Sequence, residues 1–327
     1  MVEMIGAAFW GNLLGLSILL GIGLAIAAGV TTLYVAHRLQ RPPRRGYAAA
    51  VARSMPTDPS ELDTPLAYEA WALRSGRHAL PAWTIRGLDP AGPVAICAHG
   101  WGDGRIGALV RVPTLAQKCA QVIAFDMPGQ GEAAGVCDLG TREHAHVRAA
   151  LESVEPGCDA VLVGWSLGAG ACLRLAGELA TSGDHAPRLL GVVVEAPYRR
   201  PITPARNVMA LAGLPHRVPL PIALAGINLF KRGELSARRF DRAAWAARVR
   251  VPVLVLHGSQ DEVCPIEDAR AIAEAAPQGR LAEIHGGHHN DLWTDPDLRA
   301  LSEAAVRDFL DALRAGTPGS RVPTIPA

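Results

Sequence analysis

The pentapeptide Gly164–Gly168, with the sequence Gly-Trp-Ser-Leu-Gly, constrains this chain more than any other segment. The apolar run Ala160–Val163 before it predicts a buried strand, and the run Ala169–Leu179 after it predicts a helix. A serine on the tight turn between such a strand and helix projects its hydroxyl out of the sheet, and the glycines relieve crowding there. Because a serine hydroxyl needs a base to take its proton, Ser166 is a candidate nucleophile that requires partners elsewhere in the chain.

The candidate acid follows a second strand-like run. Pro252–Leu256 is apolar and β-branched, and Asp261 comes shortly after it. An aspartate just beyond the end of a strand can reach a histidine on the next loop. Such an aspartate can also be a turn or helix-cap residue, but this position favours Asp261 as the acid of a catalytic triad.

The candidate base lies in a histidine-rich loop after the next strand-like run, Arg280–Ile284. Three histidines, His285, His288 and His289, compete for the role, and two glycines among them allow the backbone to turn sharply. We predict His289 as the base, with His288 as the second choice. A metal site formed by His285, His288 and Asp291 is an alternative, but a triad explains the same residues with fewer assumptions. We therefore expect no metal and no organic cofactor.

The oxyanion hole requires two backbone N–H donors. Leu167, directly after the candidate nucleophile, is expected to supply one. The strand-like run Val94–Ala98 leads into the glycine-rich loop His99–Asp103, and Trp101 in that loop is the candidate for the second donor. The alternative is an ordinary glycine-rich turn.

These motifs together resemble the α/β-hydrolase superfamily, in its serine esterase, lipase and aminopeptidase-like branch. The chain order Ser166, Asp261, His289 is the order of that superfamily and differs from the orders in chymotrypsin and subtilisin. The resemblance covers about residues 65–314, with similarity to monoacylglycerol lipases near the base. It implies a mostly parallel sheet with helices on both faces and hydrolysis of an acyl bond. The matching segments are His99–Trp101, Phe125–Gly131, Gly164–Gly168, Pro252–Asp261 and Gly286–Asp291.

The rest of the chain agrees with one α/β domain, because strands alternate with helical segments over a length usual for a single unit. We predict a hydrolase domain over residues 65–316, with a small cap insertion over 198–248 where this alternation breaks. A flexible tail is expected over 317–327. The formal net charge of +1 shows no excess of basic residues of the kind that binds nucleic acid, so nucleic-acid binding is not expected.

The N-terminal segment is a candidate membrane anchor. Residues 5–35 contain no charged side chain, and about 20 apolar residues suffice to cross a bilayer. We predict a single transmembrane helix within residues 1–40 and a juxtamembrane linker over 41–64. Arginines after the apolar run place the hydrolase domain on the cytoplasmic side of the cell membrane. A cleaved signal peptide is the alternative, but the segment lacks a basic region before the apolar run.

The anchor and the cap together indicate the substrate. Trp165 beside the nucleophile, and Met209, Leu224 and Phe230 in the cap, are candidates for an acyl pocket. We therefore expect a lipid or lipid-like carboxylic ester or thioester as the substrate. A non-catalytic membrane scaffold on the same fold, or an acyltransferase or peptidase using the same triad, remain alternatives, and the oligomeric state stays open.

Overall fold

The computed structural model describes residues 2–182, 188–236 and 239–316 of the 327-residue chain, so the expected tail over 317–327 lies outside the described residues. Within that part, eight strands form one sheet in the order β1-β2-β4-β3-β5-β6-β7-β8. The strands are β1 (Tyr68–Ser75), β2 (His78–Arg86), β3 (Val94–Ala98), β4 (Gln121–Phe125), β5 (Ala160–Trp165), β6 (Leu189–Glu195), β7 (Val253–Gly258) and β8 (Gly279–Ile284).

The six strands from β3 to β8 run parallel, and only β1 and β2 are antiparallel to their neighbours. The central strands are buried on both faces, which is why they read as continuous apolar runs. In β3, Val94, Ile96 and Ala98 join the core on one face while Ala95 and Cys97 join the core on the other. Such a sheet places active sites beyond the carboxyl ends of its strands.

Helices cover both faces of the sheet. On one face α4, α5, α8 and α9 pack against one another, and on the other α10 packs against α3. The helices are α1 (Val2–Gln40), α2 (Tyr47–Val51), α3 (Val112–Ala116), α4 (Glu143–Glu152), α5 (Leu167–Ser182), α6 (Ile202–Leu211), α7 (Pro219–Phe230), α8 (Arg242–Ala246), α9 (Ile266–Ala275) and α10 (Pro296–Arg314).

The N-terminal helix α1 has two distinct parts. Its stretch Asn12–Gln40 is long and apolar enough to cross a membrane, since its mean hydropathy is 2.4 over an 18-residue window. Signal sequences can have the same length and hydropathy. Most of its large apolar side chains are exposed, whereas Val35 and Leu39 near its end belong to the hydrolase core. The helix therefore ends against the domain and also packs along α7.

The segment expected to be a linker packs against the domain, because its residues Ala50 and Leu62 belong to the core on one face of the sheet. It contains the short helix α2 and a turn of 3₁₀ helix over Pro59–Glu61. The indole N–H of Trp101 donates to the backbone carbonyl of Leu39 at 2.9 Å, and the backbone N–H of Cys137 donates to that of Gln40 at 2.9 Å. Residues around position 40 are therefore tied to the loops that follow β3 and β4.

The insertion between β6 and β7 contributes two helices to the cap and one to the main body. Helices α6 and α7 contact each other, while α8 packs against α5 and α9 in the layer that covers the sheet. The apolar residues Leu220, Ala223 and Ile227 of α7 face inward at helical spacing. The opposite side of α7 exposes Val218, Ile222, Leu229 and Phe230, which we call the outer face of α7.

Candidate active site

Ser166 occupies the sharp turn between β5 and α5. Its φ is 51°, in the left-handed region that a non-glycine residue enters only where the surroundings hold it. A Cβ on Gly168 would lie 2.0 Å from the carbonyl oxygen of Ala98, and one on Gly164 would lie 2.6 Å from the backbone of Gly168. Both glycines are therefore required by close backbone approach, and the turn presents Ser166 to a cavity beyond the carboxyl ends of the strands.

Two polar contacts hold the backbone on either side of this turn. The N–H of Ser166 donates to the carbonyl oxygen of Glu195 at 2.8 Å. The guanidinium of Arg242 donates to the carbonyl oxygens of Ser166 at 2.8 Å and Leu167 at 3.1 Å. Arg242 is fully buried and stacks 3.5 Å from the ring centroid of Tyr198.

Asp261 follows β7, and His289 follows β8, on adjacent loops. The Nδ1 of His289 lies 2.7 Å from Oδ2 of Asp261, a carboxylate that can only accept, so Nδ1 is the donor. The other carboxylate oxygen accepts from the backbone N–H groups of Val263 and Cys264, at 2.8 and 2.7 Å. The Asp261 side chain is completely buried, and His289 lines the same cavity as Ser166.

The environment of His289 favours its charged form. Burial acts to lower the pKa of the imidazole, but the neighbouring Cys264 and the hydrogen-bonded carboxylate of Asp261 outweigh burial and raise this pKa well above its ordinary value. Burial also raises the pKa of the Cys264 thiol, and the neighbouring imidazole of His289 opposes that rise.

The other two histidines of the loop lie outside this arrangement. Nδ1 of His288 is 3.0 Å from a carboxylate oxygen of Glu262, and its side chain is half exposed. That hydrogen bond raises the pKa of the exposed His288. His285 is also exposed, and neither it nor His288 lines the cavity. The structure therefore separates His289 from its two competitors, although nothing in their spacing alone does so.

A metal site at this place has a weak chemical basis. Donor atoms of Asp261, Cys264 and His289 lie within 4.8 Å of one another. Both carboxylate oxygens of Asp261 already accept hydrogen bonds from His289 and from two backbone N–H groups. A metal would need Cys264 as a thiolate, and its raised pKa opposes that form. The donor set therefore suits a hydrogen-bonded pair better than a cation.

Both predicted oxyanion donors line the cavity. Leu167 is the first residue of α5, so its N–H has no acceptor within the helix, and Trp101 lies in the loop after β3. A Cβ on Gly100 would lie 3.4 Å from the Cβ of Ser166, which sets this loop directly beside the nucleophile turn. His99 supports the loop, since its Nε2 accepts from the backbone N–H of Met127 at 2.8 Å.

The cavity has a volume of about 840 Å³, within the range of small-molecule sites. Of the residues predicted for substrate binding, Trp165, Met209 and Leu224 line it. Phe230 does not, because it is the last residue of α7 and its side chain is 85% exposed on the outer face of that helix. The prediction of Phe230 as a pocket residue is therefore wrong.

A buried ion pair supports the floor of the cavity, and the motifs did not reveal it. The guanidinium of Arg111 donates to both carboxylate oxygens of Glu195, at 2.6 and 2.8 Å, and lies 4.1 Å from the ring centroid of Trp165. The indole N–H of Trp293 donates to the same carboxylate at 2.7 Å. No local signal links Arg111 and Glu195, which stand 84 residues apart in the chain.

Comparison with known sequences identifies the family. The model of the alpha/beta hydrolase family matches residues 95–323, which is more than half of the chain. The biotin biosynthesis bifunctional protein BioHC of Cellvibrio japonicus is 27% identical over 263 residues, covering 70% of this chain and 50% of that protein. The chain thus spans about half the length of this curated relative.

Solved structures agree on the fold. An esterase of Pyrococcus furiosus has a TM-score of 0.61 at 18% identity, covering 84% of this chain and 98% of the esterase. Est1E of Butyrivibrio proteoclasticus, solved with ferulic acid, has a TM-score of 0.59 at 19% identity, covering 75% of this chain and all of Est1E. A bacterial membrane phospholipase A has a TM-score of 0.54 at 17% identity, and the match covers 92% of this chain and 98% of the phospholipase.

The family-model match, the mostly parallel sheet and the esterase and lipase neighbours in fold confirm the resemblance that the motifs indicated. The chain belongs to the alpha/beta hydrolase family.

Proposed function

We propose that this protein is a membrane-anchored serine hydrolase that cleaves carboxylic ester or thioester bonds of lipid or lipid-like substrates. One observation carries the proposal. Ser166, on a strained turn, and His289, hydrogen-bonded to the buried carboxylate of Asp261, line a single cavity at the carboxyl ends of the strands. That combination activates an otherwise unreactive hydroxyl.

In the proposed mechanism, Nε2 of His289 takes the proton of Ser166 as Oγ bonds to the substrate carbonyl carbon. The N–H groups of Trp101 and Leu167 stabilise the oxyanion, each contributing roughly 2.7–4 kcal/mol to the transition state. The bond to the leaving alcohol or thiol breaks as that group takes the proton from His289. The acyl group now remains on Ser166. Water attacks its carbonyl carbon while His289 again takes the proton, which releases the acid and restores Ser166. Asp261 holds the imidazole and stabilises its cation throughout.

Membrane attachment is supported by exposed apolar side chains on two helices that pack together. The exposed apolar part of α1 and the outer face of α7 belong to helices that pack along each other. We assign residues 1–40 to the anchor, 41–64 to a juxtamembrane segment and 65–316 to the hydrolase domain, with the cap formed by α6 and α7 of the insertion over 198–248. The basic residues after the apolar run favour a cytoplasmic domain.

A lipid substrate is supported by the composition of the cavity. Its cap side consists of apolar side chains that suit an acyl chain. Those residues are Val208, Met209, Leu214 and Leu224. An enzyme held at the bilayer also meets lipid esters at a high local concentration.

A fluorophosphonate probe tests the chemistry. We expect it to label the wild-type protein in detergent and to leave Ser166→Ala unlabelled, with thermal unfolding showing that both are folded. Absence of labelling in folded wild-type protein would remove the proposal. Loss of hydrolysis in Ser166→Ala with its cellular role intact would indicate a scaffold instead.

A substrate panel tests the bond and the acceptor. We expect 4-nitrophenyl esters to be cleaved faster with medium chains than with acetate, and faster than aminoacyl anilides. Faster turnover of the anilides would favour a peptidase. Transfer of the acyl group to an added alcohol in preference to water would favour an acyltransferase.

Cys158 offers a test of orientation, because it is exposed while the other five cysteines are buried. With the domain in the cytoplasm, a membrane-impermeant maleimide should label Cys158 only after lysis. Cys158→Ser is the control for labelling elsewhere. Labelling in intact cells would place the domain on the outer side.

A further inference from the structure

The cavity that contains Ser166 has a second wall, formed by the end of α1 and by the segment between α1 and β1. Arg38, Arg44, Arg45 and Arg53 all line it, and we call these four residues the arginine wall. The end of α1 is fixed there, because the indole N–H of Trp101, beside Ser166, donates to the carbonyl of Leu39. The arginine wall therefore belongs to the active-site cavity as well as to the membrane-proximal flank.

The arginine wall carries unbalanced charge. In the part of the chain that the structure describes, none of its four guanidinium groups has an ion pair or a side-chain hydrogen bond. The two carboxylates that line the cavity already have partners. Asp103 accepts from the indole N–H of Trp165 at 2.9 Å, and Glu195 is paired with Arg111. The positive charge of the arginine wall is thus not neutralised by any of the described residues, and three of its members, Arg44, Arg45 and Arg53, are exposed at the cavity.

Apolar side chains surround the rest of the cavity. Tyr34 and Val35 of α1 and Met55 line it near the arginine wall, and the cap residues Met209 and Leu224 line it from another side. A cavity that holds cationic and apolar residues together with a candidate nucleophile suits an amphiphile that carries both an anion and an acyl chain. Guanidinium groups recognise phosphate and carboxylate through paired hydrogen bonds.

We propose that the arginine wall binds the anionic group, phosphate or carboxylate, of an amphiphilic ester whose acyl chain lies against the cap. The substrate class is then an anionic membrane lipid ester. This inference rests on the proposed function, since it assigns the substrate of that same site. It differs from a purely electrostatic role at the membrane surface, in which the arginines would contact lipid headgroups outside the cavity.

The test compares two short-chain phospholipids as monomers, below their critical micelle concentrations. Dibutyroyl phosphatidylglycerol is anionic, and dibutyroyl phosphatidylcholine is zwitterionic with the same ester bonds. Their ratio of kcat/KM is measured for the full chain in an uncharged detergent, for the wild type and for Arg44→Gln/Arg45→Gln. A general loss of activity in the variant lowers kcat/KM for both lipids equally, so it cancels in this ratio.

The matched control is Arg86→Gln/Arg250→Gln, which removes the same charge. Arg86 and Arg250 are exposed, and they lie at the amino-terminal edge of the parallel strands, opposite the cavity. We expect the wild type to prefer the anionic lipid and Arg44→Gln/Arg45→Gln to lose about tenfold or more of that preference, chiefly through KM. The control should keep the wild-type ratio.

An unchanged ratio in Arg44→Gln/Arg45→Gln would overturn the inference. So would a loss confined to lipid vesicles with the monomer ratio intact, because the arginines would then act only at the membrane surface. Inorganic phosphate that inhibits 4-nitrophenyl butyrate hydrolysis in the wild type but not in the variant, with no change in the lipid ratio, would identify a free-anion site instead. Failure of the wild type to cleave 4-nitrophenyl butyrate would remove the proposed function itself.

Discussion

Nη1 of Arg242 donates a hydrogen bond to the backbone carbonyl of Ser166 at 2.8 Å, from a position that is fully buried. The contact joins the first residue of α8 to the turn that presents the candidate nucleophile. Gly170 in α5 leaves the space for it, because a Cβ there would lie 1.9 Å from Nε of Arg242. The orientation of Ser166 therefore depends on a glycine one turn further along the helix.

We expect Gly170→Ala to destabilise the protein by about 1–3 kcal/mol, because the added methyl displaces Arg242. Turnover of 4-nitrophenyl esters should fall with it. Gly226→Ala in α7 is the control, since a Cβ there has nothing within 4 Å, and we expect it to be neutral or slightly stabilising. Equal thermal midpoints for the two variants would contradict this account.

Replacement of the two neighbouring histidines separates the base from its neighbour. His289→Ala should lower kcat/KM by a factor on the order of 10⁴ and abolish fluorophosphonate labelling, because no other group takes the proton of Ser166. His288→Ala should retain most activity, since its imidazole is exposed and paired with Glu262. A larger loss in His288→Ala would reverse the assignment.

The pH dependence follows from the raised pKa of His289. Only the neutral imidazole can accept a proton, so kcat/KM should rise with pH and reach its plateau above a pKa that exceeds the 6.5 of an ordinary histidine. Asp261→Asn removes the stabilising carboxylate. The acidic limb should then move to lower pH while kcat falls by about 10⁴-fold. If the acidic limb of the pH profile of kcat/KM does not move in Asp261→Asn, Asp261 does not control the pKa of His289.

The ion pair between Arg111 and Glu195 should appear in stability measurements. Glu195→Leu leaves a buried guanidinium unpaired and should cost about 3–5 kcal/mol. The double variant Arg111→Met/Glu195→Leu should recover much of that loss, since it removes both charges. Thermal unfolding of the detergent-solubilised chain gives the comparison. A double variant less stable than Glu195→Leu would show that Arg111 stabilises the fold through contacts other than this carboxylate, such as those with Gly107 and Trp165.

The outer face of α7 should affect activity only at a membrane. We expect Leu229→Asp to reduce hydrolysis of vesicle-bound lipid esters severalfold and to leave turnover of soluble 4-nitrophenyl butyrate near the wild-type rate. Leu88→Asp is the control, because Leu88 is similarly exposed but follows β2 at the edge opposite the cavity. Equal effects of the two changes on vesicles would argue against contact between α7 and the bilayer.

The sheet was predictable because buried parallel strands are short, apolar and followed by turn residues. The run Val94–Ala98 was predicted as a strand and is one, residue for residue. The positions of Ser166, Asp261 and His289, each after a strand of its own (β5, β7 and β8), also followed from the order of the motifs. Parallel topology brings such loops to one edge, so chain order carries spatial information.

Other contacts were not predictable because they depend on packing between distant segments. No motif marks Arg242, yet it is buried against the nucleophile turn. Phe230 was expected in the pocket because it is apolar, although the position at which α7 ends leaves it exposed. The arginines after α1 resembled an ordinary membrane flank, and only the fold brings them to the cavity.

The hydrogen bond between Trp101 and Leu39 joins the end of α1 to the loop beside the nucleophile. A long apolar helix in a bilayer adjusts its tilt to the thickness of the hydrocarbon layer. Any such tilt of α1 would pull on this loop and shift a candidate oxyanion donor. The rate of hydrolysis would then report the thickness of the surrounding bilayer, with no separate sensor domain required.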